Sequence, residues 1–134
     1  MIPFEEKEYD WQGKRILIAE DEEINYFFLE TLLLKQGAEV LHAWNGRQAI
    51  DFIQNQEVDL ILMDIKMPIM DGYEATRKIK KVKPAIPIIA QTAYALGNDE
   101  IKCVEAGCDE HIVKPIRKNL LYSIIERQFQ MAAG

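Results

Sequence analysis

The feature that most constrains the fold is an alternation of short apolar runs with helical patterns between Lys14 and Met131. Three runs are almost continuously apolar, at residues 15–19, 58–63 and 86–90. Half-buried strands alternate apolar and polar residues, so continuous runs of this length predict strands buried on both faces. Two weaker runs at residues 39–43 and 110–113 complete a predicted set of five strands.

Helical patterns separate and follow these runs. The first carries Ile24, Phe28 and Leu32 at i, i+4 and i+8 and ends near Gly37, so these three side chains are its predicted buried face. The other four patterns are Asn45 followed by Ala49, Ile50 and Ile53; Asp71 followed by Ala75 and Ile79; residues 96–106; and residues 117–131 with Leu121, Ile124, Ile125 and Phe129. Strands that alternate with helices predict an α/β fold whose parallel sheet is covered on both faces.

Composition narrows the class of protein. The chain has 134 residues, 49% of them hydrophobic, which suits one globular domain. Its net charge of −6 is the wrong sign for coating nucleic acid, so no direct contact with nucleic acid is expected. No apolar run approaches the ~18 residues of a membrane span, and no signal peptide follows Met1, which predicts a cytoplasmic domain without direct membrane contact. Cys103 and Cys108 are expected to be reduced and at least half-buried.

Residues 1–13 differ from the rest of the chain because they show no sustained hydrophobic period. They are predicted to be a linker or N-terminal arm, with Trp11 packed against the edge of the domain; a partner contact by Trp11 is the alternative. The domain itself is predicted to span residues 14–131, with residues 132–134 as a tail.

Polar residues follow four of the five predicted strands: Glu20 and Asp21, Asp64, Thr92, and Lys114. The carboxyl ends of parallel strands meet at one edge of a sheet, where open α/β folds place their sites. Three converging carboxylates favour a hard cation such as Mg²⁺, which prefers oxygen ligands. The ammonium of Lys114 and the hydroxyl of Thr92 are suitable donors to a phosphoryl group, and a carboxylate is a possible covalent acceptor.

Four segments in this order resemble one known family: residues 18–22, 63–72, 90–93 and 113–115. They are similar to the receiver domain of two-component response regulators, and the resemblance extends from about residue 14 to residue 131. It implies a flavodoxin-like (CheY-like) three-layer fold, with a five-stranded parallel sheet of order 2-1-3-4-5 and five helices.

The resemblance also implies a role for each matching residue in the acceptor chemistry. Asp64 corresponds to the aspartate that is phosphorylated by a histidine kinase. Glu20, Asp21 and Asp64 correspond to the carboxylates that hold Mg²⁺, or Mn²⁺ as a substitute, together with the backbone carbonyl of Lys66. Lys114 corresponds to the lysine that pairs with the phosphoryl group, and its bond to the following proline is expected to be cis.

The switch residues show one departure from the family. Thr92 matches the switch hydroxyl, but His111 stands where the family usually has Tyr or Phe. His111 is either a tolerated surface imidazole or a switch residue that adds pH sensitivity near neutrality. Lys66 and Tyr94 flank the predicted pocket, and their bulk is expected to slow attack of water and lengthen the life of the phosphorylated state. The alternative is that both side chains only cover the rim.

Asn25 and the segments 106–109 and 114–116 resemble the receivers of hybrid sensor histidine kinases. Asn25 either approaches the phosphoryl side of the cleft or faces solvent. The implied partners are a histidine kinase transmitter domain and, in a relay, a histidine phosphotransfer domain. In that case the domain is the cytoplasmic part of a membrane-anchored kinase. The isolated domain is expected to promote its own phosphorylation and dephosphorylation without otherwise being an enzyme.

Three alternatives stay open. The first is a free-standing single-domain response regulator with the same chemistry. The second is a phosphorylation-independent interaction domain that keeps the pocket for its shape. The third is a phosphohydrolase of the haloacid dehalogenase type, which the sequence disfavours because Lys66 occupies the position where such an enzyme needs a second aspartate.

Overall fold

The computed structural model describes residues 8–93 and 98–133. Within these residues, five parallel strands form a sheet of order β2-β1-β3-β4-β5, with five helices between and after them. In chain order the elements are β1 (Arg15–Ala19), α1 (Glu23–Lys35), β2 (Glu39–Ala43), α2 (Gly46–Asn55), β3 (Leu60–Asp64), α3 (Gly72–Val82), β4 (Ile88–Thr92), α4 (Asn98–Ala106), β5 (Glu110–Val113) and α5 (Lys118–Ala133). The predicted fold class and strand order are confirmed.

The pairing of the strands aligns their carboxyl ends at one edge of the sheet. Ala19 at the end of β1 pairs with Met63, which places Asp64 one residue beyond it on the neighbouring strand. Asp64 in turn pairs with Gln91, and Thr92 on β4 pairs with Val113 on β5. The ends of four neighbouring strands therefore converge, as the sequence predicted.

The hydrophobic core lies on both sides of the sheet. One cluster packs β1, β3, β4 and β5 against α1 and α5, and a second packs β1 and β3 against α2 and α3. Every residue of β3 and β4 is buried, which is the pattern that their continuous apolar runs predicted. The apolar positions predicted to face the core in α2, α3 and α5 are buried as well.

Helix α1 corrects one prediction. Its buried face consists of Tyr26, Leu29, Leu32 and Leu33. Leu32 was expected there, but Ile24 is 82% exposed and Phe28 is 46% exposed. The sequence pattern failed because this helix is apolar around most of its circumference, and a period of 3.6 residues then gives no contrast between faces.

The segment before β1 is part of the packed structure. Trp11 is 1% exposed and packs edge-on against Tyr122 and Phe129. Its indole N–H donates to Glu126 at 2.9 Å, and its backbone N–H donates to the carbonyl of Gln36 at 2.8 Å. Trp11 thus fixes this segment at the edge formed by α1 and α5. Residues 1–7 lie outside the described chain, so the predicted extent of the arm stays a prediction.

Two further expectations concern the described residues as a set. Cys103 is buried, Cys108 is half-buried, and neither forms a disulfide. None of the helices in residues 8–93 and 98–133 combines the length and apolar character needed to cross a membrane.

The burial of Trp11 leads to a prediction about stability. Trp11→Ala is expected to lower the free energy of unfolding by about 3–5 kcal/mol, because it removes a fully buried indole and leaves a cavity. Urea unfolding followed by circular dichroism measures this loss. Ile24→Ala is the control: its side chain is largely exposed, so the change is expected to stay within about 0.5 kcal/mol. Equal losses in the two variants would contradict both assignments.

Candidate functional site

Three carboxylates cluster at the carboxyl edge of the sheet. Glu20 and Asp21 follow β1, Asp64 ends the neighbouring β3, and one oxygen from each lies within 4.8 Å of the others. Glu20 is fully buried and Asp64 is 4% exposed, whereas Asp21 is half-buried. The structure therefore brings together the three carboxylates that the sequence predicted as cation ligands.

Lys114 supplies a positive charge to this cluster from the end of β5. Its Nζ lies 3.1 Å from Asp64 Oδ1 and 3.7 Å from Glu20 Oε1. Burial alone lowers the pKa of the Lys114 ammonium, but attraction to Asp64 and Glu20 outweighs burial and raises the pKa overall. The Lys114–Pro115 bond is cis, as expected.

Glu20 is the fully buried member of the acidic cluster. Burial, followed by the charge of Asp64, raises the pKa of Glu20 from its ordinary value of 4.5 to about 7. Glu20 Oε2 accepts a hydrogen bond from the backbone N–H of Glu22 at 3.2 Å, whereas Oε1 is buried and accepts none from the described residues. A buried carboxylate oxygen that accepts no hydrogen bond, among like charges, fits a cation ligand. The residues present therefore fit Mg²⁺.

Thr92 and Lys114 are fixed side by side at this edge. Thr92 is 1% exposed at the end of β4, and its carbonyl accepts a hydrogen bond from the backbone N–H of Lys114 at 2.8 Å. On the other side of β4, the backbone N–H of Ile65 donates to the carbonyl of Gln91 at 3.3 Å. The end of β4, which carries the hydroxyl of Thr92, is thus hydrogen-bonded to the chain at the ends of β3 and β5.

The acidic cluster opens into a cleft of about 280 Å³. Asp21, Asp64, Lys66 and Lys114 line it, and Lys66 is exposed at its rim. The chain after β3 folds back closely on Asp64. A Cβ at Gly72 would lie only 2.3 Å from the carbonyl oxygen of Asp64. Only glycine is compatible with that approach, which explains the glycine at the first position of α3.

Among the described residues, His111 and Asn25 do not line this cleft. His111 is half-buried on β5 and pairs with Ala90. Asn25 lines a second cavity, of about 170 Å³, which it shares with Phe28 and Lys114. Asn25 therefore lies on the Lys114 side of the site and is half-buried. Tyr94 lies outside the described residues.

Sequence reasoning missed two polar side chains beside the site. Gln91 is 1% exposed, lines the cleft, and its Nε2 has no hydrogen-bond partner within the described chain. Its polarity within the apolar run of β4 was the available signal. The ring nitrogen Nε2 of His42 lies 2.9 Å from the carbonyl oxygen of Glu20, yet β2 seemed to end without a chemical group. Nothing in the sequence around His42 shows that contact, because its partner is on another strand.

The comparisons with known proteins agree with this geometry. The model of the response regulator receiver domain family matches residues 16–126. That match covers most of the chain, and the chain belongs to this family. It is a receiver domain of two-component systems, with relatives among the receivers of hybrid histidine kinases.

Two relatives show the range of proteins that contain such a domain. Hybrid signal transduction histidine kinase I of Dictyostelium discoideum is 42% identical over 86% of this chain, but the chain spans only 7% of that protein. The polar-differentiation response regulator DivK of Brucella anthropi is 38% identical over 77% of this chain, which covers 85% of that protein. The chain is therefore similar to a small part of a long kinase and to most of a short regulator.

Solved structures give the same fold. The receiver domain of a sensor histidine kinase from Pseudomonas aeruginosa PAO1, with a magnesium ion coordinated in its active site cleft, has a TM-score of 0.81 and 37% identity. The match covers 87% of this chain and 97% of that one. A CheY-like receiver domain protein from Methanospirillum hungatei JF-1 has a TM-score of 0.85 and 31% identity, covering 90% and 96% of the two chains.

The raised pKa of Glu20 predicts how stability depends on pH when cations are removed. The folded state holds the Glu20 proton up to about pH 7, whereas the unfolded state releases it near 4.5. Relative to Glu20→Gln, the wild-type protein in EDTA is therefore expected to lose stability as the pH rises between these values. Urea unfolding of both proteins across this range measures the difference.

Saturating Mg²⁺ is expected to remove that decline, because a cation stabilises the ionised carboxylate. Parallel stability curves for wild type and Glu20→Gln in EDTA would show that Glu20 titrates alike in the folded and unfolded states, which contradicts the prediction.

Proposed function

We propose that this domain accepts a phosphoryl group on Asp64 and switches protein contacts in response. The observation that carries the proposal is the convergence of three carboxylates within 4.8 Å, with the Lys114 ammonium 3.1 Å from Asp64. Of the three, Asp64 is the carboxylate that lines the cleft and also pairs directly with this ammonium. A phosphoryl acceptor must be accessible to the phosphoryl donor, and a nearby positive charge must stabilise the negative charge that develops during transfer.

Glu20, Asp21 and Asp64, with the backbone carbonyl of Lys66, are the groups we propose to hold Mg²⁺. When bound, the cation neutralises the charge that gathers as an anionic phosphoryl group approaches carboxylates. The raised pKa of Glu20 and its Oε1, which accepts no hydrogen bond, support this assignment. Mn²⁺ accepts the same oxygen ligands and is expected to substitute.

In the transfer step, a carboxylate oxygen of Asp64 attacks the phosphorus of a phosphohistidine. The phosphorus–nitrogen bond breaks, its electron pair returns to the imidazole, and the product is an acyl phosphate on Asp64. Positioning and electrostatics dominate such transfers. The ammonium of Lys114 then interacts with the new phosphoryl oxygens, and this interaction replaces part of its attraction to the carboxylate of Asp64.

The new charge acts on the neighbouring strand ends. We infer that the hydroxyl of Thr92 moves towards the phosphoryl oxygens and that His111 on β5 changes position with it. Lys114 and Thr92 are already joined through their backbones at 2.8 Å, so movement at one strand end is transmitted to the next. The surface formed by α4, β5 and α5 is therefore the proposed output.

The proposed donor is the transmitter domain of a histidine kinase, and in a relay the next acceptor is a histidine phosphotransfer domain. The similarity to hybrid kinases favours a receiver within a larger cytoplasmic assembly, including one attached to a membrane-anchored sensor. The domain acts as an acceptor that promotes its own phosphorylation, and with a net charge of −6 it is not expected to contact nucleic acid directly.

A free-standing response regulator is the second candidate function. It is favoured by one observation, the similarity to DivK over 85% of that protein's length. The acceptor chemistry is the same in both contexts, so the experiment below tests the shared step. A phosphorylation-independent interaction domain is the alternative that the same experiment excludes or supports.

The central prediction is that acetyl phosphate and Mg²⁺ add one phosphoryl group to this domain. Intact mass spectrometry measures the gain, and Asp64→Asn is expected to abolish it, because an amide is a poor acceptor. EDTA is expected to abolish it as well, and Mn²⁺ to restore it. No gain with acetyl phosphate, phosphoramidate or a phosphorylated kinase domain would favour a pocket kept only for its shape.

A further prediction concerns the lifetime of the phosphorylated state. Replacing Lys66 by Asn and Tyr94 by Glu is expected to speed hydrolysis by about 10²-fold at most, since a carboxylate can orient and activate the attacking water. The decay of the phosphorylated mass after removal of the donor measures the rate. Tyr94→Phe is the control that keeps the ring; unchanged decay in the double variant would show that the two side chains only cover the rim.

A further inference from the structure

An aromatic stack lies beside the acidic cluster, at the end of β2. The His42 ring is stacked on Tyr26 of α1, with 3.6 Å between ring centroids and 6° between ring planes. Trp44 packs against His42 with a centroid distance of 4.1 Å. The hydroxyl of Tyr26 donates to Glu30 at 2.7 Å, a bond within α1 that does not involve His42. The orientation of the imidazole is therefore determined on both sides.

This orientation directs one ring nitrogen at the main chain of Glu20. His42 Nε2 lies 2.9 Å from the Glu20 carbonyl oxygen, which can only accept, so Nε2 carries the proton and donates. The backbone N–H of Glu20 donates to the carbonyl of Ala43 at 3.0 Å. Both polar main-chain groups of Glu20 are thus held by the end of β2, one through the sheet and the other through an imidazole.

The bond from His42 to the Glu20 carbonyl is not one of the backbone hydrogen bonds that pair the strands. β1 ends at Ala19, and Glu20 is the first residue beyond the strand. Here the chain turns to present Glu20 and Asp21 to the cluster, where like charges repel and favour an opening of this turn. The hydrogen bond from His42 Nε2 to the carbonyl of Glu20 opposes that opening when no cation is bound.

We propose that His42 is a positioning residue: its hydrogen bond to the Glu20 carbonyl holds the two acidic residues in the arrangement that binds the divalent cation. The proposal rests on the function proposed for the acidic cluster. It depends on the donor nitrogen of His42 rather than on its charge. Partners that orient metal-binding groups without touching the metal affect its affinity strongly.

His42→Phe and Tyr26→Phe distinguish the effect of the hydrogen bond that His42 donates from the effect of the packed rings. His42→Phe keeps an aromatic ring between Tyr26 and Trp44 and removes the hydrogen bond to Glu20. Calorimetric titration with Mg²⁺ is expected to show a dissociation constant about tenfold higher than in the wild type. Tyr26→Phe keeps its ring on His42 and loses only the bond to Glu30, so its Mg²⁺ affinity is expected to be unchanged.

His42→Gln, which offers an amide N–H in place of the imidazole N–H, is expected to recover much of the affinity. An equal dissociation constant in wild type and His42→Phe would overturn the proposal. So would equal losses in His42→Phe and His42→Gln, because they would show that the imidazole acts through its shape.

A second measurement needs no metal and stands apart from the proposed function. Hydrogen exchange at the Glu20 amide in EDTA, followed by NMR, is expected to be about fivefold faster in His42→Phe, the factor that loss of one hydrogen bond produces. Faster exchange in a protein that neither binds Mg²⁺ nor accepts a phosphoryl group would show that His42 holds the main chain of Glu20, but it would reject both the cation site and the proposed function. Unchanged exchange would reject the positioning role whether or not Mg²⁺ binds.

Discussion

Repulsion among buried carboxylates is the constraint on which the rest of this site depends. Glu20 and Asp64 are almost completely removed from water, and the ammonium of Lys114 is the positive charge that approaches both. One lysine against two buried acids and the half-buried Asp21 leaves the cluster negative, and burial, followed by the charge of Asp64, raises the pKa of Glu20. A cation bound here would make this charge balance less negative, and a phosphoryl group on Asp64 would make it more negative again.

Much of this arrangement could be predicted from the sequence because the fold is repetitive. Continuous apolar runs identified the strands, and the parallel order then required Glu20, Asp64, Thr92 and Lys114 to meet at one edge. Glu20, Asp64 and Lys114 followed a run directly and Thr92 came one residue later, so their positions needed no knowledge of packing. The family resemblance added roles to these positions, and the fold and the acidic cluster agree with it.

Features that depend on tertiary contacts could not be predicted. Helix α1 has apolar residues on several faces, so its exposed Ile24 and Phe28 were assigned to the core. His42 was not among the predicted site residues, because its hydrogen bond reaches a carbonyl more than twenty residues away in sequence. Gln91 was hidden in an apolar strand. In each case the decisive neighbour lies on another element, and a pattern along one segment carries no information about it.

The packing of Trp11 has a consequence for how this domain can be joined to other structures. Its backbone is bonded to Gln36, just beyond α1, before the chain enters β1 at Arg15. The chain is therefore held at the amino end of β1, a full strand length from Glu20 and Asp21. A tether or a neighbouring module joined ahead of Trp11 would therefore start from the amino edge of the parallel sheet, opposite the carboxyl edge where Glu20, Asp21 and Asp64 cluster.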